Sequence, residues 1–283
     1  MSELPAERNA AEPTWDNRPV QNQSGSRGDE PQRGGAQTVE RALAILDLFR
    51  EGPDQLSLTV IARQAGLNVS TAHRLVRTLV NGGFMEQDEL TERYRLGAGL
   101  AALALRAMRN AGLDRVQPIL DELANSTGES ISLARRSGGS VIVVLRSTSH
   151  HALKFEHPSG GALDIHASAM GKILLACGDA PPTVGDVVAL GPLQRFTPST
   201  IDQVDAFLVE LRMVRERQVA FNREERYVGV CGAAVPVRDH RGTVRYALGV
   251  QGPASRMAAD RLEVLAGVLA GATSEISRYV SAG

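Results

Sequence analysis

The chain lacks the features that most easily announce a function. It has two cysteines in 283 residues, Cys177 and Cys231. They lie far apart in no metal-like spacing, which argues against a disulfide scaffold and suits a reducing compartment. An excess of one charge is also missing: 31 basic against 32 acidic side chains leave a formal net charge of −1. No global basic field therefore draws the chain to nucleic acid, and any DNA contact must come from local asymmetry. No apolar run approaches the ~18 residues of a membrane span, and no charged-then-apolar leader opens the chain. A cytoplasmic protein with no membrane partner is the expectation. No glycine-rich phosphate loop follows a strand candidate, so nucleotide hydrolysis has no support.

What is present begins with a tail. Residues 1–35 are rich in Pro, Gly, Gln, Asn, Arg and Glu, and the single tryptophan, Trp15, lies among them. Too few apolar groups are available there to offset the entropy of ordering, so the segment reads as disordered.

From Gln37 the pattern turns helical. Val39, Ala42, Leu43 and Leu46 recur at helix spacing, and Glu51-Gly52-Pro53 breaks the run. Ser57 can cap a second helix carrying Leu58, Ile61, Ala62 and Ala65, which Gly66 closes. Ser70 is a cap candidate for a third helix with Ala72, Leu75, Val76 and Leu79 on one face, ended by Asn81-Gly82-Gly83. Phe84-Met85-Glu86 and Tyr94-Arg95-Leu96 then read as two short strands joined by Gln87 to Arg93. Helix, helix, tight turn, helix and hairpin within about 60 residues form a winged helix-turn-helix, expected over 36–98.

The outward face of the third helix carries Thr71, His73, Arg74, Arg77 and Thr78, and no acid occurs from Ala65 through Phe84. A helix in the major groove runs between phosphate walls that repel carboxylates, while Arg pairs with guanine and hydroxyls suit phosphates or base edges. Thr71 and Arg74 are assigned to base edges, Ser70 and Arg77 to phosphates, and Arg93 and Arg95 to a flanking groove or backbone. Arg41 and Ser57 complete the candidate DNA contacts. The hairpin acids Glu86, Asp88, Glu89 and Glu92 weaken the wing as a contact. The competing function is a ligand-gated module that uses the same winged helix for a protein partner.

These residues resemble the IclR family of transcriptional regulators. The resemblance rests on Val39-Glu40-Arg41-Ala42, Leu43 to Leu46, Ser70 to Leu75, Leu79 and Tyr94 to Gly97. It continues through His166 to Lys172, Phe196-Thr197-Pro198 and Gly252 to Arg256, covering Gln37 to Ser277. It implies a dimer or tetramer that binds double-stranded DNA at a palindromic operator. It also implies a GAF-like domain that takes a small metabolite, often an aromatic or organic acid. Repression, activation or both are implied; catalysis and a cofactor are not.

The rest of the chain reads as α+β. Leu100 to Met108 is a helix candidate, and 99–113 is assigned to a linker helix. An effector domain follows over 114–283, opening with a helix from Asp114 to Ser126 that has Pro118 in its first turn. Strands are expected at Ile131 to Arg135 and Val141 to Leu145, with Ser137-Gly138-Gly139 as their turn, and at Leu153 to Glu156. A short helix runs from Ser168 to Cys177 and a longer one from Thr200 to Gln218. Strands Val230 to Arg238 and Val244 to Gln251 turn at Asp239 to Gly242, and a helix closes the chain from Arg256 to Val280. A mostly antiparallel sheet flanked by helices follows.

The start of the Ser168 helix offers free N–H groups and a dipole that favour a carboxylate. Ser168, Ala169, Met170 and Gly171 are therefore effector-site candidates, although Gly171 and Ala169 equally suit close helix–sheet packing. The resemblance adds Asn222, Gly232, Gly249 and Gln251 as aligned pocket positions. It places Cys231 one residue off the family cysteine and so on the opposite strand face. This smaller, less acidic set implies a bulkier effector. Glu225 and Arg226 are further candidates, although a charged loop pair is more often solvated surface. The histidines His150, His151, His157 and His166 are too scattered for a metal site, and neither cysteine has an evident base partner.

Overall fold

The computed structural model describes residues 33–50, 52–137, 140–155 and 160–280. Trp15, Gly138, Gly139, Glu156, His157 and the tail up to residue 32 lie outside them. The chain divides into compact units at Val39 and Glu40, and the described part of the first unit is the opening of α1.

The winged helix is assembled from α1 (Arg33–Asp47), α2 (Leu58–Gln64), α3 (Val69–Asn81), β1 (Met85–Gln87) and β2 (Tyr94–Leu96). Periodicity places the buried faces of α2 and α3 as expected: Ile61, Ala62, Ala72, Leu75, Val76 and Leu79 are buried. The α1 stripe is different. Val39 and Leu43 are exposed and Ile45 is fully buried, with Ala42 and Leu46 packed beside it. Gly66 takes φ +65°, and Leu67 N–H reaches back to Ala62 O at 2.8 Å, a left-handed closure that L side chains resist. Leu56 pairs with Tyr94, adding a third edge to the β1–β2 hairpin.

A helix, α4 (Ala98–Asn110), buries none of its residues. Gly112 follows with φ +71°, its Cα against the Tyr279 carbonyl so that no Cβ could fit. Then α5 (Leu113–Thr127) begins. Pro118 is six residues into α5 rather than in its first turn, so the helix gives up one internal hydrogen bond there.

The sheet domain contains β3 (Ser130–Ser137), β4 (Ser140–Ser147), β5 (Ala162–Leu163), α6 (Ala169–Ala176), α7 (Val184–Val188), α8 (Val204–Arg217), β6 (Ala220–Arg223), β7 (Val230–Arg238), β8 (Val244–Pro253), a 3-10 turn at Ala254–Arg256 and α9 (Ala259–Ser277). Its six strands run in the order β5-β4-β3-β8-β7-β6, each paired antiparallel to its neighbour. The expected strand at Leu153 does not form over its described residues. Residues 151–153 bend, and the Leu153 carbonyl accepts from Arg256 Nη1 at 3.0 Å instead of joining a ladder. The helix expected from Thr200 starts at Val204 because Thr200 is spent in a turn, its Oγ1 accepting from Thr197 N–H at 2.8 Å.

The two faces of the sheet differ chemically. Ile131, Val250, Ala233 and Phe221 form one cross-strand row, and Leu133, Leu248 and Val235 the next. Both rows pack on α5 and α9 in one core. The alternate residues face α6 and α8 and are small or polar. Ser132, Gly249, Ala234 and Ala220 make one row, and Ser130, Gln251, Gly232 and Asn222 the row beside it. Among the described residues no helix is long and apolar enough to cross a membrane.

Candidate functional site

Two places concentrate chemistry. The first is the outer face of α3. Its N-cap is Asn68, not Ser70: Asn68 Oδ1 accepts from Thr71 N–H at 2.8 Å and from Ser70 Oγ at 2.9 Å. Both residues carry an oxygen at capping distance in sequence, and the backbone chose the earlier one. Asn68→Ala should cost ~1 kcal/mol of stability, read as a lowered urea midpoint; an unchanged midpoint would deny the cap any role. His73, Arg74, Arg77 and Thr78 are exposed and Thr71 half-buried. Thr78 Oγ1 is turned back onto Arg74 O at 2.9 Å, which spends its proton within the helix. Ser57 holds the cap position of α2 without a capping bond; its hydroxyl meets Thr59 Oγ1 at 3.0 Å.

The arginines divide into free and committed. Arg41, Arg74, Arg77 and Arg93 are exposed and form no ion pair with any described residue. Arg95 is committed: its Nε donates to Glu86 Oε2 at 3.2 Å, while Glu86 Oε1 accepts from Ala98 N–H at 3.1 Å. That hydrogen bond and Arg95 hold the Glu86 carboxyl below its ordinary range. Thr91 does the same for Asp88 through its backbone and hydroxyl. The wing therefore keeps its negative charges, and the cationic face belongs to α3.

The second place is where α6 meets the small, polar face of the sheet. Ser168 caps α6, its Oγ accepting from Gly171 N–H at 3.1 Å and donating to Asp164 O at 2.7 Å. That side chain is fully used, and one of the helix-end donors expected for an anion is already satisfied. Gly171 is a packing residue: a Cβ there would stand 2.5 Å from both Ile165 Cα and O. Ala169 and Met170 are buried. The room expected from two other glycines is filled. A Cβ on Gly232 would meet Gln251 Cγ at 2.9 Å, and one on Gly249 would meet Met170 Cγ at 2.7 Å. The inference of a bulkier effector therefore does not follow from the glycines alone. Cys231 joins the core on the opposite face. Burial pushes both cysteine thiols up, which keeps them in the weakly nucleophilic protonated form.

Glu225 is not solvated surface. It is 6% exposed and faces Lys172, which is fully buried. Lys172 Nζ donates to Glu225 Oε1 at 2.8 Å, Phe221 O at 3.0 Å and Glu210 Oε1 at 3.1 Å. Burial pushes the Glu225 carboxyl up, with the Lys172 ammonium opposing. The Glu225 backbone is fixed on both sides: its N–H donates to Asn222 Oδ1 at 2.9 Å, and its carbonyl accepts from Thr200 Oγ1 at 2.6 Å. Next to it, Arg226 pairs with Asp164 at 2.6 Å and lies 3.7 Å from the Phe196 ring centroid. Lys172, Glu210, Thr197 and Thr200 thus belong to the site although no sequence criterion selected them for it. The available signal was a lysine inside the apolar run Met170 to Leu175, which a helix buried on all sides tolerates only if the charge is paired. His150 meets Asn125 Oδ1 at 2.7 Å and His166 meets Gln194 O at 2.9 Å. Among the described residues no three His, Cys, Asp or Glu side chains gather as a metal site would require.

Known proteins match over most of the chain. Residues 38–89 match the IclR helix-turn-helix domain, and residues 108–278 match the bacterial transcriptional regulator IclR C-terminal domain. The HTH-type transcriptional regulator BhcR of Paracoccus denitrificans is 32% identical over 245 residues, spanning 86% of this chain and 87% of BhcR. The crystal structure of an IclR transcriptional regulator from a Silicibacter species superposes with a TM-score of 0.76 at 30% identity, covering 85% of this chain and 95% of that one. An IclR homolog from Microbacterium hydrocarbonoxydans, crystallised with 4-hydroxybenzoate, gives a TM-score of 0.72 at 27% identity over 85% and 99% of the two chains.

Proposed function

The chain belongs to the IclR family of bacterial transcriptional regulators, and on that premise we propose that α3 reads operator DNA under the control of a small organic or aromatic acid bound between α6 and the sheet. One observation carries the DNA half: an exposed helix face with Arg74 and Arg77 free, no acid between Ala65 and Phe84, and the acids held in the wing. Residues 36–98 form the DNA-binding domain, 99–113 the linker and 114–283 the effector domain. Thr71 and Arg74 take base edges. Ser70, Arg77 and Arg41 take phosphates, with Arg93 at the flanking backbone. Arg95 supports the wing through Glu86 instead of meeting DNA.

Self-association supports a palindromic operator. No residue of α4 is fully buried in the single chain, and Leu103 and Leu105 on it are more than half exposed, as a helix awaiting a second copy would be. Two recognition helices must sit about one turn apart, ~34–36 Å. The effector binds one arrangement of the paired domains more tightly and shifts that equilibrium, and α4 transmits the change in spacing. Such a regulator works in the cytoplasm and needs no cofactor.

Fluorescence anisotropy with a duplex from upstream of the protein's own gene tests this. Affinity should fall steeply with salt, with a log–log slope of about −0.9 per phosphate neutralised, and one acid from an organic and aromatic panel should shift it. Salt-insensitive association, or none from folded protein, would hand the winged helix to a protein partner instead.

A further inference from the structure

The α6 end of the effector site has walls of two kinds. Most of its residues are immobilised. Gly171 is wedged against the Ile165 backbone, Ser168 is held by its capping bonds, and Lys172 is held by three acceptors. Met170 is held by contact alone. It is 1% exposed, and its Cγ and Sδ stand 2.7 and 2.9 Å from where a Gly249 side chain would begin. Beneath it the sheet offers only Ser132, Gly249 and Ala234 in one row. Methionine is unbranched, turns about three bonds, and its sulfur favours aromatic edges.

We propose that Met170 is the plug of the effector site: the effector takes the space over Gly249 that this side chain fills, and Met170 turns aside to admit it. The proposal rests on the effector-binding role given to this end of α6. It makes Met170 the residue that sets effector size, admitting a compact body comparable to its own side chain, such as a single ring. The polar complement is the buried Glu225–Lys172 pair, in which Oε1 and Oε2 lie 2.8 and 2.7 Å from Lys172 Nζ. A carboxylate has more lone pairs than one ammonium uses, so it can also accept from a ligand hydroxyl. A hydroxylated aromatic acid meets both demands, with its ring over Gly249 and its hydroxyl toward Glu225.

Isothermal titration of the full chain with benzoate and 4-hydroxybenzoate, the latter being the molecule held by the Microbacterium relative, tests the plug. If the displaced state of Met170 is populated about one part in ten, Met170→Ala should bind 4-hydroxybenzoate about tenfold tighter. Met170→Phe, filling the space with a rigid ring, should weaken binding by a similar factor, and benzoate should bind more weakly than its hydroxylated partner. Equal constants for wild type and both variants, or no binding by Met170→Ala, would overturn the plug. The sensor role itself stands or falls separately, on effector-dependent operator release by the wild type. Methyl-labelled methionine NMR supports the proposal without a disruptive variant. The chain has six methionines, and Met170→Leu, close in volume, assigns the peak. That methyl resonance should move as wild-type protein is saturated with 4-hydroxybenzoate; a stationary peak at saturation rejects displacement.

Discussion

Arg74→Ala should abolish specific operator binding while leaving the fold intact. A bidentate arginine–guanine pair is worth ~1–3 kcal/mol of discrimination, and an operator read by two copies loses it twice. The side chain is exposed and joins no described ion pair, so its removal should change stability by no more than ~0.5 kcal/mol. Anisotropy with operator and scrambled duplexes, alongside urea unfolding, separates the two effects. The affinity for operator should fall to that for scrambled DNA, with unfolding midpoints unchanged. Arg77→Ala provides the contrast. As a phosphate contact it should weaken both duplexes alike and reduce the salt slope by about one unit. Unchanged operator affinity in Arg74→Ala would remove base reading from α3.

Lys172→Met should be the most destabilising single change in the sheet domain. The ammonium is fully buried and neutralises Glu225 while bonding Glu210 and the Phe221 carbonyl. Removing one partner of a buried pair leaves the other charge uncompensated, at a cost of ~3–5 kcal/mol. The pH dependence tests the cause. Burial already raises the Glu225 carboxyl against the opposing Lys172 charge, and losing Lys172 raises it further. A group whose folded pKa is raised contributes stability that is present below its unfolded value and lost as pH rises through the folded one. The variant should therefore regain stability relative to wild type as pH falls, and the gap should narrow on going from about pH 8 to about pH 5. A loss under ~1 kcal/mol, or a gap independent of pH, would show that the pair carries no such burden.

The winged helix was the most legible part because its signals are local. Buried positions on α2 and α3 recur every three or four residues, and the absence of acids from Ala65 to Phe84 is visible in the bare string. The string is ambiguous where two local solutions are equally good. Asn68 and Ser70 both carry a capping oxygen, and only the backbone path decided for Asn68. In α1 the stripe Val39, Ala42, Leu43 and Leu46 is buried only in part: Ala42 and Leu46 pack beside Ile45, while Val39 and Leu43 stay exposed. Leu153 to Glu156 alternates like a strand, but a strand needs a neighbour, and β4 instead pairs with β5 (Ala162–Leu163). Glu225 reads as solvated in the bare sequence because Lys172, the partner of its buried charge, lies 53 residues away.

The sequence by itself determined the class of protein, the order of most elements and the charge of the outer face of α3. Those properties depend on residues within a few turns of one another, where periodicity and steric preference act directly. Tertiary structure decided the candidate effector site. Ser132, Gly249, Ala234 and Ala220 become one row only when four separate strands pair in register, and Met170 fills the space above Gly249 only when α6 lies across that row. Burial, which turned Glu225 from a surface acid into the partner of Lys172, is a property of the whole packed domain and has no local signature in the chain.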